Sequence, residues 1–184
     1  MFEALLERIA IGLDAEAIPY MVIGGQAVLV HGEPRLTRDV DVTLGVDIDQ
    51  LPVVLRVSKA LGLTPLVDPE AFTRATMVLP CQDAATQIRV DLIFSFSPYE
   101  RDAIRRACSV RMGNANVQFA SVEDLIVHKI LAGRPRDLDD VRAVLNKNPA
   151  ADRRFIRDKL AEFSATLGEQ LVERFNAVAG GSSP

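Results

Sequence analysis

The feature that most constrains this chain is a pair of short segments in which aspartates alternate with branched apolar residues, at residues 38–44 and 87–94. Successive side chains of a strand point to opposite faces, so Asp39 and Asp41 share one face of the first segment. Asp91 lies inside the second segment, where a carboxylate is costly to bury without a partner. The pattern predicts two strands that carry three carboxylates between them.

A glycine pair lies upstream of the first carboxylates. The apolar run at residues 20–23 predicts a buried strand that ends in a tight turn at Gly24 and Gly25, followed by a short helix over residues 26–31. A glycine pair after a strand is most often only a turn. A functional interpretation therefore depends on the carboxylates that follow.

The rest of the chain places strands early and helices late. Apolar periodicity and turn residues predict helices over residues 1–13, 49–61, 98–107, 121–132, 137–145 and 151–178, the last broken near Gly168. They also predict a strand over residues 74–79 with a turn at 80–83, and a hairpin over 110–119 that turns at Gly113 and Asn114. We expect one domain over residues 1–178, with a core at 18–120, a helical part at 121–178 and a disordered tail at 179–184.

Composition limits the setting of the protein. The only cysteines, Cys81 and Cys108, lack metal-ligand spacing, and no segment reads as a signal peptide or reaches the apolar length of a membrane span. We therefore expect a cytoplasmic protein with no membrane partner. Residues 1–100 carry an excess of acidic side chains and residues 101–159 an excess of basic ones. The acidic segment could bind metal ions and the basic segment phosphates in one cleft, or both could simply be solvated surfaces of opposite charge.

Three carboxylates on two strands suit phosphoryl-type transfer to a hydroxyl. Divalent metals prefer oxygen ligands, and a carboxylate pair two residues apart on a strand can bridge two ions. One ion would bind triphosphate oxygens and the other would lower the pKa of the attacking hydroxyl. Asp39, Asp41 and Asp91 are thus predicted metal ligands, and Asp91 is the candidate that activates the acceptor. Acidic pairs on a solvent-facing strand edge are the alternative.

These residues resemble the motifs of the DNA-polymerase-β-like nucleotidyltransferases, in the bacterial branch of AbiEii-toxin-like proteins. The resemblance covers roughly residues 18–145. It rests on residues 23–27, 35–42, 90–92, 121–129 and 133–140. It implies an α/β (α+β) nucleotidyltransferase fold, with a mixed central β-sheet flanked by helices and a helical C-terminal region. It also implies dependence on Mg²⁺, as two ions that Mn²⁺ could replace, and an NTP as donor.

The same resemblance implies further roles for individual residues. Gly24 and Gly25 would let the backbone approach the nucleotide phosphates, although Gly25 stands where many relatives have serine. Lys129 is a candidate for binding the triphosphate or the leaving pyrophosphate, with a surface lysine as the alternative. Asp137 or Asp140 would orient it. The remaining predicted nucleotide-binding residues are Arg35, Thr37 and Arg38, and Arg134 and Arg136 are further phosphate candidates; His31 and His128 are expected to be structural.

The expected reaction is transfer of NMP from an NTP to a hydroxyl, with release of pyrophosphate. The acceptor stays open among the 3′ end of a tRNA, a protein hydroxyl and a small molecule such as an aminoglycoside, and the basic segment only weakly favours RNA. A cognate antitoxin is a predicted partner. The alternative from another class is a non-catalytic binding protein that keeps the nucleotidyltransferase fold. A metal-dependent phosphohydrolase is disfavoured because histidine-rich metal motifs are lacking.

Overall fold

The computed structural model describes residues 1–95 and 97–180. Its contacts divide the chain into two compact units, one made of Met1–Gln26 and Leu36–Ala120 and the other of Ala27–Arg35 and the chain from Ser121 onward. The single domain over residues 1–178 stays a prediction. Of the tail predicted to be disordered, Ala179 ends the last helix, and residues 181–184 lie outside the described part.

The first unit contains all of the strands that the structure describes. Its strands are β1 (Tyr20–Ile23), β2 (Asp39–Leu44), β3 (Leu63–Pro65), β4 (Val78–Asp83), β5 (Arg89–Phe94), β6 (Cys108–Met112) and β7 (Ala115–Phe119). Its helices are α1 (Phe2–Ala15), α3 (Leu51–Ala60), α4 (Pro69–Thr76) and α5 (Pro98–Arg105), with a 3-10 turn at Ile48–Gln50 before α3. Helix α2 (Gly24–His31) contributes residues to both units.

The strands form a single mixed sheet in the order β3-β4-β5-β2-β1-β7-β6. Strands β2 and β5 pair in parallel, as do β1 and β7, and the remaining pairs are antiparallel. The apolar residues of β2 and β5 are buried on one face of the sheet, namely Val40, Val42, Leu44, Val90, Leu92 and Phe94. Because Asp39, Asp41 and Asp91 occupy the alternate positions of these strands, their carboxylates lie on the other face of the sheet.

The second unit is helical beyond Ser121. It holds α6 (Val122–Ala132), α7 (Pro135–Lys147), α8 (Arg153–Leu167) and α9 (Leu171–Ala179). The Ser121 side chain accepts a hydrogen bond from the Asp124 backbone N–H at the start of α6. Gly133 and Gly168 end α6 and α8 in the left-handed conformation that glycine adopts without strain. The predicted break near Gly168 is confirmed.

The predicted fold class is confirmed, as are the strand before the glycine pair, the hairpin at Gly113 and Asn114, and the late helices. The strand predicted over residues 74–79 is wrong. Asp68 caps a helix there by accepting from the Ala71 N–H, Pro69 begins it, and Met77 ends it at φ +62°. The strand follows, and it runs through residues 80–83, which were predicted as a turn. The short strand β3 was not predicted.

Within residues 1–95 and 97–180, every helix is too short or too polar to cross a lipid bilayer.

Candidate active site

The three predicted metal ligands lie on one face of the first unit's sheet. Strands β2 and β5 are parallel, and their register puts Asp41 directly opposite Asp91 and Asp39 opposite Arg89. Neighbouring strands are about 4.8 Å apart, so side chains of opposed residues are close neighbours. All three carboxylates are half-buried. The sheet therefore brings together residues that are 50 positions apart in the sequence.

Gly24 lies against the Asp41 carboxylate. Ile23 of β1 is paired with Asp41 across the antiparallel β1–β2 ladder, so the next residue, Gly24, begins α2 beside that side chain. Gly24 has φ +63°, and a Cβ atom built on it would lie 2.0 Å from the Asp41 Oδ2 atom. Only glycine suits this position, because any side chain would have to displace the carboxylate. The adjacent Gly25 is buried in the first turn of the helix.

Two polar side chains hold the Asp39 position. The Thr37 hydroxyl lies 3.2 Å from the Asp39 Oδ1 atom and donates to it, and Thr37 itself is buried. Gln26 donates from Nε2 to the Asp39 backbone carbonyl at 3.4 Å. Thr37 was predicted to bind nucleotide, and here it contacts a predicted metal ligand. Arg38, the residue between them, is exposed.

Arg89 is a site residue that the sequence analysis missed. Its Nε atom donates to the Asp91 Oδ1 atom at 2.9 Å, and its side chain is 55% exposed. The hydrogen bond with Asp91, and the charges of Asp91, Asp39 and Asp41, raise the pKa of the Arg89 guanidinium. The signal was present in the sequence, because a residue two positions before Asp91 on a strand shares its face.

The carboxylate oxygens of the site suit Mg²⁺, although in this structure they do not surround a single metal position. Carboxylate oxygens are the ligands that this ion prefers. Three of them lie on one sheet face, next to a glycine that leaves Asp41 room. In the described part of the chain, no three His, Cys, Asp or Glu side chains are already arranged to hold a metal ion. Asp91 is instead bound to Arg89.

A second charged cluster lies in the helical unit and centres on Lys129. The Lys129 Nζ atom is 2.7 Å from Asp137 Oδ1 and 2.9 Å from Asp140 Oδ2, and all three side chains are at least 92% buried. Arg35 contacts the same Asp140 carboxylate through two nitrogens. Its Nε atom lies 2.7 Å from Asp140 Oδ1, and a terminal nitrogen lies 2.9 Å from Asp140 Oδ2. Both carboxylates that were candidates to orient the lysine therefore contact its ammonium.

Asp137 is ionised within this cluster. Burial raises the pKa of Asp137, but hydrogen bonds from Arg134 and Lys129, together with their charges, outweigh it and hold the pKa below its usual value. The Arg134 Nε atom lies 2.6 Å from Asp137 Oδ2. Three cations, Lys129, Arg35 and Arg134, thus share two carboxylates. Arg136 is exposed on α7.

The predicted site residues therefore form two groups. Within the first unit, the structure brings together Gly24, Gly25, Thr37, Asp39, Asp41 and Asp91. Within the second unit, it joins Arg35, Lys129 and Asp140. His31 and His128 are half-buried, and the His31 backbone carbonyl accepts a hydrogen bond from Asn148 at 2.7 Å. That bond involves only the backbone of His31, so the structural role of both histidines stays a prediction.

Several solved structures have a fold similar to that of this chain. The antibiotic-resistance factor ANT(2'')-Ia is 13% identical with a TM-score of 0.64, and the match covers 90% of this chain and 94% of that chain. A nucleotidyltransferase-like antigen from Paracoccidioides brasiliensis is 16% identical with a TM-score of 0.59, covering 95% and 92%. The lincosamide adenylyltransferase LnuA is 12% identical with a TM-score of 0.50, covering 72% and 89%. A comparison with curated protein sequences gave no significant match.

At this level of identity the neighbours define the class of fold, which is the nucleotidyltransferase fold. The family follows from the sequence. Residues 4–179 match the family described as nucleotidyl transferase AbiEii toxin, type IV toxin–antitoxin system, and the chain belongs to this family. It is a nucleotidyltransferase, and the resemblance inferred from its motifs is confirmed.

Proposed function

We propose that this protein is a Mg²⁺-dependent enzyme that transfers NMP from an NTP to a hydroxyl acceptor and releases pyrophosphate. The observation that carries the proposal is the pairing of Asp41 with Asp91 across parallel strands, with Asp39 on the same face. Bound there, Mg²⁺ would neutralise phosphate charge and lower the pKa of the acceptor hydroxyl. Mn²⁺ has the same ligand preference and would substitute for it.

The residues of this chain supply orientation and charge. Asp39 and Asp41 would hold the cations, while Thr37 fixes one Asp39 oxygen and Gly24 leaves space for the Asp41 carboxylate and for a close approach of phosphate. Gly25 follows in the first turn of α2, where free backbone N–H groups favour an anion. Asp91 would accept the proton of the attacking hydroxyl, directly or through its cation.

Residues outside the carboxylate face would bind the triphosphate. Arg38 is exposed beside Asp39, and in the second unit Lys129 and Arg35 both contact the Asp140 carboxylate. Lys129 would offer a compact ammonium to the pyrophosphate, with Asp140 holding it in place. We also propose that residues 1–178 form a single domain.

The biological role that fits the family is that of the toxin in a toxin–antitoxin pair, with a cognate antitoxin as partner. The acceptor is proposed only as a hydroxyl compound, drawn from tRNA, protein or a small molecule. Among the structural neighbours, LnuA is a lincosamide antibiotic adenylyltransferase, which supports a small molecule as one acceptor class to be tried.

The test is calorimetric titration of each of the four NTPs, with Mg²⁺, into the wild type and Asp39→Asn/Asp41→Asn. A matched control is Asp14→Asn/Asp49→Asn, which removes the same charge from two exposed carboxylates of the same unit. The proposal expects binding of at least one NTP by the wild type and the control, and its loss in the site variant. If the folded wild type binds no NTP, the non-catalytic alternative takes its place.

A further inference from the structure

Arg89 contributes a permanent positive charge to a face that the proposed function assigns to cations. It lies opposite Asp39 in the strand register, and its Nε atom is bonded to Asp91. Three carboxylates and one guanidinium thus occupy four adjacent positions on β2 and β5. A divalent cation approaching the carboxylates meets repulsion from this charge, and an anion approaching the same place meets attraction.

The hydrogen bond from Arg89 also occupies a predicted metal-ligand atom of Asp91. The Asp91 Oδ1 atom accepts from the guanidinium at 2.9 Å, so a cation can use that oxygen fully only when the arginine turns away. The Arg89 side chain is 55% exposed and so has solvent to turn into, whereas Asp91 is only 17% exposed.

We propose that Arg89 couples cation binding to nucleotide binding, weakening the hold of the three aspartates on a divalent cation alone and strengthening it once a triphosphate is present. The inference rests on the proposed function. A triphosphate brings about four negative charges beside the carboxylates, and a guanidinium pairs with phosphate oxygens through several N–H donors. Arg89 then exchanges Asp91 for phosphate, which frees Asp91 for the cation.

The coupling is reciprocal by thermodynamic necessity. If nucleotide improves cation affinity through Arg89, then cation improves nucleotide affinity through Arg89 by the same factor. The free enzyme would hold little divalent cation, and the two would load together. Removing Arg89 should therefore move two affinities in opposite directions, which a purely structural role for this side chain would not do.

The experiment uses Mn²⁺ as the cation probe, followed by electron paramagnetic resonance, and calorimetry for the NTP that binds most tightly. The variant is Arg89→Met, and Arg89→Lys keeps the charge. Arg74→Met is a matched control, because Arg74 pairs through Nε with Glu70 Oε2 at 2.9 Å and is 49% exposed, away from the carboxylates in sequence and on a helix.

For Arg89→Met we expect Mn²⁺ alone to bind roughly threefold to tenfold more tightly, from the lost repulsion between a unit charge and a divalent ion several ångströms away. At saturating Mn²⁺, the NTP should bind at least about threefold more weakly, because a charge-assisted contact is lost. Arg89→Lys should stay close to the wild type in Mn²⁺ affinity, and Arg74→Met should match the wild type in both titrations.

Two results would overturn the coupling. One is a Mn²⁺ affinity that is unchanged or weaker in Arg89→Met, since the guanidinium would then only orient Asp91. The other is an unchanged NTP affinity at saturating Mn²⁺. Failure of the proposed function looks different, because then either the wild type would bind no NTP, or Asp39→Asn/Asp41→Asn would bind Mn²⁺ and NTP as the wild type does, whatever Arg89→Met does.

Discussion

Asp41 of β2 is paired directly with Asp91 of β5, and a Cβ atom built on Gly24 would lie 2.0 Å from the Asp41 Oδ2 atom. The two acids face each other because two buried apolar rows, on the reverse of the same strands, fix both the pairing and the register. A shift of one residue would move the carboxylates into the core, where a charge is costly.

Gly24→Ala should abolish Mg²⁺-dependent NTP binding. The new Cβ would lie 2.0 Å from Asp41 Oδ2 and must push the carboxylate away, and the residue must also hold φ +63°. Gly62→Ala is the control, because Gly62 has φ +74° with nothing within 4 Å of an added Cβ. Both variants should lose about 1 kcal/mol of stability in urea unfolding from backbone strain. Equal NTP binding by the two variants would contradict the role given to Gly24.

Thr37→Val should weaken Mn²⁺ binding by about twofold to tenfold, because one hydrogen bond that orients Asp39 is worth roughly 1 kcal/mol. The hydroxyl is 3.2 Å from Asp39 Oδ1. Thr76→Val is the control, since the Thr76 hydroxyl donates to the Phe72 carbonyl in an exposed helix. The readout is Mn²⁺ titration without nucleotide. If Mn²⁺ affinity is unchanged and only NTP affinity falls, Thr37 contacts the nucleotide and does not position the cation ligand.

Lys129→Met should destabilise the protein by about 3 kcal/mol, because it leaves two buried carboxylates short of a cation. Lys129 contacts Asp137 at 2.7 Å and Asp140 at 2.9 Å. Lys159→Met is the control, since Lys159 pairs with the largely exposed Glu162 at 2.9 Å and should cost under about 1 kcal/mol. Guanidinium unfolding measures both. Equal stabilities would mean that the Lys129 cluster contributes nothing to folding.

The stability of the protein should fall in acid partly through Asp83. Burial raises the pKa of Asp83, but hydrogen bonds from the Thr86 hydroxyl and N–H and the charge of Arg8 outweigh it, so the pKa lies below its usual value. The folded state then binds the Asp83 proton less readily than the unfolded chain does. This stability is complete above the unfolded pKa of about 3.9 and is lost as the pH falls through the folded pKa.

Asp83→Asn tests this contribution by urea unfolding from neutral pH down into acid. The variant should be less stable than the wild type near neutral pH, and the difference should shrink below about pH 4 as the wild-type carboxyl protonates. A difference that stays constant over the whole range would mean that Asp83 acts through its shape and hydrogen bonds alone. Asp14→Asn, at an exposed carboxylate, should follow the wild-type curve throughout.

Local patterns account for much of the fold and for the candidate carboxylates. Alternation at period two identified β2 and β5, and the turn residues Gly113 and Asn114 identified the hairpin. The failure at residues 74–79 has a local cause as well. Asp68 followed by Pro69 is a helix start, and the capping bond from Ala71 outweighed the strand preference of the residues that follow.

The predicted nucleotide-binding residues outside the sheet were harder to identify from the sequence. Lys129 and Arg35 looked the same as any surface lysine or arginine in sequence. Lys129 reaches Asp140 only when helices α6 and α7 pack together, and Arg35 contacts Asp140 from 105 positions away in the sequence.

The sequence by itself determined which side chains share a face, since that follows from the alternation of a strand and needs no knowledge of its neighbours. The alternation places Asp39 and Asp41 on one face of the first strand, and Arg89 and Asp91 on one face of the second. Only the tertiary structure decided that β2 and β5 are neighbours, in parallel and in a register that sets Asp41 against Asp91. Strand pairing depends on backbone hydrogen bonds between distant segments and on burial of their common apolar face. A local sequence pattern determines neither of these.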